Sequence, residues 1–419
     1  MSLSQIITTS ENDVYIASNT LIIDENGLTK ISDISNFNTT SYLKNVYGFN
    51  GIDNEIQTYC TKNKKIIKIT LSFGYTLECS QSNNIWNGIK WIQAKNLNIN
   101  DLLPIQYGQN VWGDGLDISD FKPRKRCKYK YSIAKNDIND DLFYLLGLIQ
   151  GDGCYGERSV TVANIDIEII EFLHKSKFKS HGKRKKTHHT LSSTEFCDFL
   201  KYLGFKKGSK FKTFPKKLFQ CTKNQMRAFL QGLFDADGTS NSNKTKRGNI
   251  KLVSTCYELI QEIQIILLNF GITSSITKEE KPPTKKVKVS SIIYNLEIGG
   301  YFAYIFYQEI GFRLTRKQKH VEFIVDRCKD ESGNIYPIDS NKLKDYLLPK
   351  NIISNSKRIS RRLIKFLYNR KPHTYLEELL KEKLFYSPIK NIEIHDQEVS
   401  CFTITKKYSF FANGFILQI

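Results

Sequence analysis

The stretch Phe143-Tyr-Leu-Leu-Gly-Leu-Ile-Gln-Gly-Asp-Gly153 decides the fold, because a second copy follows as Phe229-Leu-Gln-Gly-Leu-Phe-Asp-Ala-Asp-Gly238. Both copies place apolar residues at helical spacing and end on an Asp-Gly step. The pattern predicts two apolar helices, each stopped by a glycine in the left-handed conformation that often caps helix C-termini. The capping box Thr222-Lys-Asn-Gln225 marks the predicted start of the second helix.

The repeat continues beyond these helices. In each copy a strand and an apolar helix come next, so that Val160–Ile170 matches Ile250–Ile260. A further helix and a basic turn close each copy, and there Leu203–Lys210 matches Ile310–Lys317. The same elements in the same order indicate a duplicated α/β unit, which predicts two half-domains related by a pseudo-twofold axis.

A glycine stands in the middle of each predicted helix, Gly147 in the first copy and Gly232 in the second. Glycine inside a helix costs about 1 kcal/mol relative to alanine, so a packing reason is expected. Close approach of the two helix backbones supplies that reason. If the helices pair in this way, Asp152 and Asp237 lie side by side at their shared end.

Two adjacent carboxylates repel each other unless a cation lies between them. Hard oxygen ligands suit Mg²⁺ better than zinc, and a helix end offers backbone carbonyls as well. We therefore expect about two or three Mg²⁺ ions, replaceable by Mn²⁺, held by Asp152 and Asp237 with the carbonyls of Gly151 and Ala236. An ordinary buried helix capped by Asp-Gly is the alternative for either copy taken alone.

The composition indicates a polyanionic partner. Lys and Arg number 62 against 42 Asp and Glu, which gives a net charge of +20 and a pI near 9.3. Nucleic acid is the first candidate partner and an anionic membrane the second. Paired acids in so basic a protein, with lysines near them, predict metal-dependent hydrolysis of a phosphodiester. A hydrophobic content of 40% excludes a disordered basic tail.

Cysteine usage and hydropathy favour an intracellular protein. The nine cysteines are far apart and form no C-x-x-C pair, which argues against a disulfide framework and a zinc ribbon. The N-terminal segment is polar, and no run approaches the roughly 18 apolar residues of a membrane helix. We expect the nucleus in a eukaryote, where basic clusters could act as import signals, and otherwise the cytoplasm.

The pattern of predicted secondary structure changes along the chain, which predicts one domain inserted into another. Short strand-like segments with turn signals occupy the beginning and the end, whereas helices and strands alternate in the middle. The expected division is 1–14 leader, 15–120 first part of a β module, 130–325 inserted domain with repeats at about 140–215 and 222–320, 326–390 basic helical subdomain or linker, and 391–419 second part of the β module. The 326–390 segment reads equally as a DNA-contacting subdomain or as plain packing helices.

The two motifs Leu145–Gly153 and Leu230–Gly238 resemble those of a single-chain LAGLIDADG homing endonuclease, and the resemblance covers about residues 140–325. It implies an αββαββα half-domain used twice, with strands lying in the DNA major groove. It also implies one catalytic, metal-binding acid per motif, which by position are Asp152 and Asp237. Gln150 departs from the usual first Asp of the motif, a position that is not a metal ligand in the family.

The family tends to place a lysine near each metal site. Counting from the matched glycines Gly204 and Gly311 selects Lys210 and Lys317 as catalytic lysines, with Lys212 as a rival in the first repeat. Solvated surface charge is the alternative for any one of them.

The resemblance further implies a monomer that binds double-stranded DNA at a long target site, with no role for a membrane. The residues expected to contact DNA are Arg124, Lys125, Arg126, Arg158, Lys183, Arg184, Lys185, Lys186, Lys212, Lys246, Arg247, Lys251, Lys285, Lys286, Lys288, Arg313 and Arg316.

The β segments resemble the splicing (Hint) domain of an intein. Tyr15–Ile22, Ile69–Ser82 and Tyr408–Ile419 are similar to its conserved blocks, and the phrase Phe410-Phe-Ala-Asn-Gly414 is close to the family pattern. The implied fold class is α+β: an all-β Hint-like module interrupted by a pseudo-twofold duplicated αββαββα LAGLIDADG endonuclease domain.

The residues that perform splicing are replaced. Tyr15 stands where a Cys or Ser nucleophile is needed, Cys79-Ser-Gln-Ser82 replaces Thr-x-x-His, and Gln418-Ile419 replaces His-Asn. We therefore expect a free-standing homing endonuclease, part of a mobile genetic element, whose Hint-like module has lost protein splicing. The alternatives are a nucleic-acid-binding protein or RNA maturase without cleavage, and a still-splicing intein.

Overall fold

The computed structural model divides the chain into two compact units. The outer unit comprises Met1–Val111 with Glu331–Ile419, and the central unit comprises Trp112–Asp330. The residues that the structure describes are 15–34, 41–43, 45–48, 51–53, 56–124, 133–176, 187–241, 248–283, 289–326, 328–329, 334–343, 358–404 and 409–418. The predicted leader 1–14 lies outside them. No helix in the described part of the chain is both long enough and apolar enough to cross a membrane.

The described residues contain both helices and strands. The helices are α1 Asp140–Asp152, α2 Ile167–Lys175, α3 Thr194–Leu203, α4 Lys223–Asp237, α5 Tyr257–Asn269, α6 Tyr301–Glu309, α7 Thr315–Val325, α8 Arg361–Arg370 and α9 Thr374–Lys381. The strands are β1 Tyr15–Ala17, β2 Leu21–Asp24, β3 Gly27–Lys30, β4 Ser41–Leu43, β5 Val46–Gly48, β6 Gly51–Asp53, β7 Ile56–Leu71, β8 Thr76–Cys79, β9 Asn84–Trp86, β10 Trp91–Gln93, β11 Leu102–Gln106, β12 Gly153–Tyr155, β13 Ser159–Val162, β14 His189–Ser192, β15 Gly238–Asn241, β16 Asn249–Ser254, β17 Ser275–Lys281, β18 Ser291–Gly299, β19 Ile335–Pro337, β20 Arg358–Ser360, β21 Leu384–Ile404, β22 Ser409–Ala412 and β23 Phe415–Gln418.

The outer unit contains two six-stranded antiparallel sheets, with the strand orders β11-β21-β1-β8-β7-β4 and β10-β9-β23-β22-β2-β3. The last hairpin follows directly from its turn sequence. Asn413 and Gly414 both have positive φ, at 49° and 84°, as the tightest hairpin turns require, so Ala412 pairs with Phe415. The Asn413 side chain then accepts a hydrogen bond from the Leu21 amide at 2.9 Å and donates one to the Thr76 carbonyl at 3.1 Å.

Helices α8 and α9 belong to the outer unit and share its core. Their apolar faces pack with the β19–β20 pair and with strands β22 and β23, so this segment is not an independent linker. The buried residues of this cluster include Tyr336, Ile359, Ile364, Leu367, Leu376, Leu379, Phe411 and Ile416.

In the central unit, α1 and α4 pack closely against each other through their glycines. A Cβ added to Gly147 would lie 2.0 Å from the Phe229 carbonyl oxygen, and one added to Gly232 would lie 2.1 Å from the Tyr144 carbonyl oxygen. No side chain fits at such distances, so the predicted backbone contact between the two helices is confirmed.

The predicted left-handed glycine caps are wrong. Gly153 has φ −88° and Gly238 has φ −84°, because each glycine is the first residue of a strand that leaves the helix directly. Glycine is instead required at both positions because a larger residue does not fit. A Cβ on Gly153 would lie 2.3 Å from the Ile149 carbonyl oxygen, and one on Gly238 would lie 2.4 Å from the Phe234 carbonyl oxygen.

A small antiparallel sheet follows each of these two helices in the sequence. The sheet after α1 has the strand order β12-β13-β14, and the sheet after α4 has the order β15-β16-β18-β17. The second run of elements therefore has the order α4-β15-β16-α5-β17-β18-α6. The first run reads α1-β12-β13-α2-β14-α3, and residues 177–186, between α2 and β14, lie outside the described part of the chain.

We expect Gly147→Ala to destabilise the central unit by about 1–3 kcal/mol, because its methyl group overlaps the backbone of α4. Alanine has the higher helix propensity by about 1 kcal/mol, so a net loss would isolate the packing effect. Gly156→Ala is the matched control, since its nearest neighbour would be the Ser159 carbonyl oxygen at 3.8 Å. Differential scanning calorimetry should show a lower melting temperature for Gly147→Ala alone; equal melting temperatures would contradict the close-packing account.

Candidate active site at the ends of α1 and α4

Asp152 and Asp237 are the last residues of α1 and α4, and the glycine contact brings these helix ends together. At this end a Cβ on Gly151 would lie 2.6 Å from the Ala236 Cβ and 3.2 Å from Asp237 Oδ2. The four residues predicted as metal ligands thus meet at one place. That convergence is a consequence of helix packing rather than of any direct bond between the two acids.

The two carboxylates are partly buried and lie near each other and near two lysines. Burial, with a smaller contribution from the nearby charge of Asp152, raises the pKa of Asp237 to about 6, although Lys212 and Lys317 act in the opposite direction. Burial also raises the pKa of Asp152, although Asn164 Nδ2 donates a 2.9 Å hydrogen bond to its Oδ2. Both acids would be stabilised in their ionised form by an added cation.

The donor set suits a divalent ion that keeps part of its own hydration. Within the described ranges, no group of three or more His, Cys, Asp or Glu side chains could enclose a metal ion. Two carboxylates and nearby carbonyl oxygens leave coordination positions for water and substrate oxygens, which is how Mg²⁺ is commonly held. The Gly151 carbonyl, one of the predicted ligands, already accepts a 2.6 Å hydrogen bond from Lys212 Nζ.

Lys212, and not Lys210, reaches the candidate site in the first repeat. Burial lowers the pKa of Lys212, whereas the charges of Asp237 and Asp152 raise it in part. Lys210 is exposed within the 3-10 turn Ser209–Phe211. This turn lengthens the loop, so that the lysine follows Gly204 by eight positions instead of the six that separate Gly311 from Lys317.

Lys317 has the corresponding place at the end of α4. Its Nζ donates hydrogen bonds to the carbonyl oxygens of Phe234, Asp235 and Gly238 at 3.0, 2.7 and 2.6 Å. The side chain is 7% exposed, and burial lowers its pKa. An ammonium group has three donors, so Lys317 is saturated by the end of α4.

Sequence reasoning missed three polar residues that support the site. Asn164 fixes Asp152, while Gln150 and Asp235 occupy equivalent positions of α1 and α4. Gln150 contacts the loop that carries Lys212, and Asp235 contacts the residues just before α7, the helix that carries Lys317. Alignment of the two copies could have drawn attention to Asp235, because a buried acid there matches the unusual Gln150. The Asn164 contact depends on the turn after β13 and had no local signal.

Several predicted DNA contacts are already paired with acids of the protein itself. Arg124 lies 3.1 Å from Glu157 and 2.7 Å from Asp198, and Arg316 bonds Asp166 at 2.9 Å. The other predicted DNA contacts have different surroundings. Lys251 lies 3.3 Å from Glu297, Arg313 lies 2.7 Å from Asp141 and over the Tyr144 ring, and Arg158 is exposed. Lys125, Arg126, Lys183, Arg184, Lys185, Lys186, Lys246, Arg247, Lys285, Lys286 and Lys288 lie outside the described residues.

In the outer unit, two of the segments similar to splicing blocks are neighbours. Strands β1 and β8 pair at Ile16 and Cys79, and the Ser80 amide donates to the Tyr15 carbonyl at 2.8 Å. The Tyr15 hydroxyl donates to the Lys65 carbonyl. Complete burial raises the pKa of the Cys79 thiol.

The other predicted splicing positions hold no histidine or asparagine side chain. The Ser82 hydroxyl lies 3.0 Å from that of Ser80, which also donates to Asn83 Oδ1 at 2.6 Å. Gln418 lies on β23 and pairs with Asn84, while Ile419 is outside the described residues.

Comparison with known proteins gives one family match. Residues 224–311, which run from α4 into the turn after α6, match the LAGLIDADG-like domain. The match covers the second acidic motif with Asp237, and it leaves the first motif and the outer unit outside its bounds.

Curated proteins of several kinds share parts of this chain. It is 24% identical over 329 residues to the ribonucleoside-diphosphate reductase NrdEB subunit alpha of Bacillus subtilis (strain 168), which is 68% of this chain and 28% of that protein. It is 28% identical over 358 residues to the replication factor C small subunit of Methanocaldococcus jannaschii, covering 80% of this chain and 17% of that protein. A DNA polymerase of Thermococcus sp. (strain GE8) is 30% identical over 203 residues, 44% of this chain and 12% of the polymerase. The chain thus spans between 12% and 28% of the length of these relatives.

Among solved structures, the Ssp DnaB mini-intein variant M86 is similar at 11% identity and a TM-score of 0.18. The similarity covers 24% of this chain and 64% of that one.

Proposed function

We propose that this chain is a site-specific homing endonuclease that cleaves both strands of DNA by metal-dependent phosphodiester hydrolysis. The observation that carries the proposal is the meeting of Asp152 and Asp237 at the ends of two glycine-packed helices, with Lys212 and Lys317 beside them. The match of residues 224–311 supports it, since LAGLIDADG domains are typically nucleases. The runs α1 to α3 and α4 to α6 are proposed to be the two half-domains, and their sheets to lie in the major groove.

In the proposed mechanism Asp152 and Asp237 would hold the divalent ions, Mg²⁺ or in its place Mn²⁺. When bound, such an ion would act as a Lewis acid on the phosphate and lower the pKa of a water molecule. Asn164 fixes the orientation of the Asp152 carboxylate through its 2.9 Å hydrogen bond. Lys212 donates one of its three N–H groups to the Gly151 carbonyl, and the other two would be available to stabilise developing negative charge. Lys317 holds the end of α4, where its donors are used.

The decisive test is cleavage of a plasmid library with random inserts in Mg²⁺, with sequencing of the cut ends. We expect one target of roughly 14 base pairs or more, the span of two groove-reading halves. On that target, Asp152→Asn and Asp237→Asn should each lower the cleavage rate at least about 100-fold, because each removes a charged metal ligand, while DNA affinity is kept. Asp114→Asn, at an exposed acid of the central unit, is the matched control.

The same variants can also be tested for Mg²⁺ binding without DNA. Mg²⁺ should raise the melting temperature of the wild type and of Asp114→Asn, since a ligand that binds the native state stabilises it. The increase should be absent when both site acids are replaced. Near wild-type cleavage by both single variants would refute the assigned site, and sequence-specific binding without cleavage would favour the maturase-like alternative.

We also propose that α8 contributes DNA contacts from the outer unit, which would give the 326–390 segment both of its predicted roles. Ile364 and Leu367 are buried in the core, whereas Arg362, Lys365 and Arg370 are exposed on the other face. These three cations have no acidic partner among the described residues. Together with the exposed Phe366 they form a basic surface of the kind that binds phosphates.

The α8 surface should make DNA binding more sensitive to salt. Replacing Arg362, Lys365 and Arg370 together by Gln should flatten the slope of log K against log salt by up to about 2.7, at about 0.9 for each phosphate contact. The control replaces the exposed lysines 90, 95 and 390 of the same unit by Gln, which changes the net charge equally. Fluorescence anisotropy with a labelled 40-base-pair duplex measures both, where about 40 base pairs exceeds the expected footprint. Equal slopes for the two triple variants would exclude a special role for α8.

We propose, finally, that the outer unit is a Hint-like module, interrupted by the endonuclease domain, that has lost protein splicing. Tyr15 carries a weakly nucleophilic phenol whose hydroxyl donates a hydrogen bond to the Lys65 carbonyl, and Ser82 stands at the position expected for an amide-polarising histidine. Neither the first acyl shift nor its activation has a suitable side chain.

A chain with foreign segments fused to both ends should therefore remain in one piece after expression. Tyr15→Cys should at most permit thiol-induced cleavage before residue 15, because a thiol restores only the first step. Intact-mass spectrometry distinguishes these products. Detection of the two flanks joined to each other would show that splicing persists.

A further inference from the structure

The residue two positions before each candidate metal-binding acid contacts the backbone at, or a few residues before, one of the two lysines. Gln150 is 2% exposed, and its Nε2 donates to the carbonyl oxygens of Lys212 and Thr213 at 3.1 Å each. Asp235 is 1% exposed, and its Oδ2 accepts from the amides of Arg313 and Leu314 at 3.0 and 3.2 Å. The two contacts occupy equivalent positions on α1 and α4, but Gln150 donates its hydrogen bonds whereas Asp235 accepts them.

We propose that Gln150 and Asp235 are positioning residues, called latches below, that hold Lys212 and Lys317 at the ends of α1 and α4. The assignment of a catalytic purpose to the latches rests on the proposed endonuclease function, whereas their action on the lysines does not. Neither latch touches the reacting atoms. Each acts through the backbone of the loop that precedes or contains the lysine.

In the first half the latch fixes Lys212 from both ends. Gln150 binds the main-chain carbonyl of Lys212, while the Lys212 side chain returns to the carbonyl of Gly151, the next residue along α1. A lysine tethered at its backbone and at its ammonium group loses most of its freedom. This arrangement holds the charge of Lys212 beside the two carboxylates.

In the second half, Asp235 and Lys317 are linked by a similar series of hydrogen bonds. Asp235 binds the amides of residues 313 and 314, and the Leu314 carbonyl accepts from the Lys317 amide at 3.0 Å in the first turn of α7. The Lys317 ammonium then donates back to the carbonyl of Asp235 at 2.7 Å. The Tyr144 hydroxyl also donates to Asp235 Oδ2, at 2.8 Å, which fixes the latch to α1.

The polarity of each latch follows from the backbone that it faces. A carboxylate only accepts hydrogen bonds, whereas the amide group of glutamine donates two. The first loop presents carbonyls to α1, so an aspartate at position 150 would place negative charge against two acceptor oxygens. The second loop presents amides, which suit the carboxylate of Asp235. The departure of Gln150 from the usual acidic residue is thus matched to the local loop, which contains the extra turn Ser209–Phe211.

The test measures the accessibility of each lysine without DNA or metal. Gln150→Met removes the donors of the first latch at equal chain length, and Asp235→Leu removes the acceptors of the second. After brief acetylation with an amine-specific reagent, mass spectrometry should show about tenfold faster labelling of Lys212 in Gln150→Met and of Lys317 in Asp235→Leu, the effect of losing hydrogen bonds worth about one factor of ten. Lys210, which is exposed in every variant, is the internal reference.

Comparison of the labelling rates of Lys212 and Lys317 distinguishes a local effect of each latch from a general loosening of the structure. Each variant should release the lysine of its own half and leave the other lysine slow, and Asp235→Asn, which keeps an acceptor oxygen, should leave Lys317 slow. In a variant that still unfolds in one cooperative thermal transition, release of both lysines together, or of neither, would overturn the proposal. If Gln150→Met does not fold, Gln150→Asn replaces it, and Lys212 should be released because Asn is too short to reach the carbonyl oxygens. If Asp235→Leu does not fold, Asp235→Ser replaces it, and Lys317 should be released because Ser is too short to reach the two amides.

Cleavage kinetics on the selected target supply the second readout. Gln150→Met should lower kcat by about 10–100-fold with little change in KM, as expected when a supporting residue of an active site is lost. A purely structural role would lower the melting temperature without moving Lys212. Lysine release as described in a protein that cleaves no library member would leave the latches in place and refute the endonuclease instead.

Discussion

The close contact between α1 and α4 is the constraint on which the rest of the central unit depends. Backbone atoms of one helix fill the space that a Cβ would take on Gly147 and Gly232 of the other. The helix axes can come this near only with glycine at both positions, and only then do their last residues meet. The relation between Asp152 and Asp237 is therefore set by packing several residues away, in the rigid part of each helix.

Such a meeting concentrates negative charge. The C-terminal end of a helix carries a partial negative charge and unpaired carbonyls, and here two helix ends and two carboxylates share one region. Lys212 and Lys317 offset both contributions, since their ammonium groups bind the carbonyls of Gly151 and of the end of α4 while facing the acids. Helix capping and charge compensation are thus performed by the same side chains. The site gains stability and a fixed cationic group from one arrangement.

The sequence predicted the elements that repeat locally and failed where the two copies differ in loop length. The apolar spacing located both helices, and the Thr222–Gln225 capping box is present with hydrogen bonds of 3.1 and 3.3 Å. Counting from Gly204 selected Lys210, because an inserted 3-10 turn has no periodic signal. The predicted left-handed glycine caps are wrong for a related reason. An Asp-Gly step reads as a helix stop, yet whether the next residue turns or enters a strand is decided by the sheet that receives it.

Charge shows the same division between local and tertiary information. The net charge of +20 follows from composition, but an arginine bound to a carboxylate adds little to the field at the surface, and this applies to Arg124 and Arg316. Those pairings join residues far apart in the sequence, so no spacing rule could reveal them. On α8 the reverse holds, since its helical period alone determines which side is buried with Ile364. Basic residues on the polar face of an amphipathic helix must face solvent. On such a helix the sequence pattern indicates which cations are exposed and able to bind a phosphate.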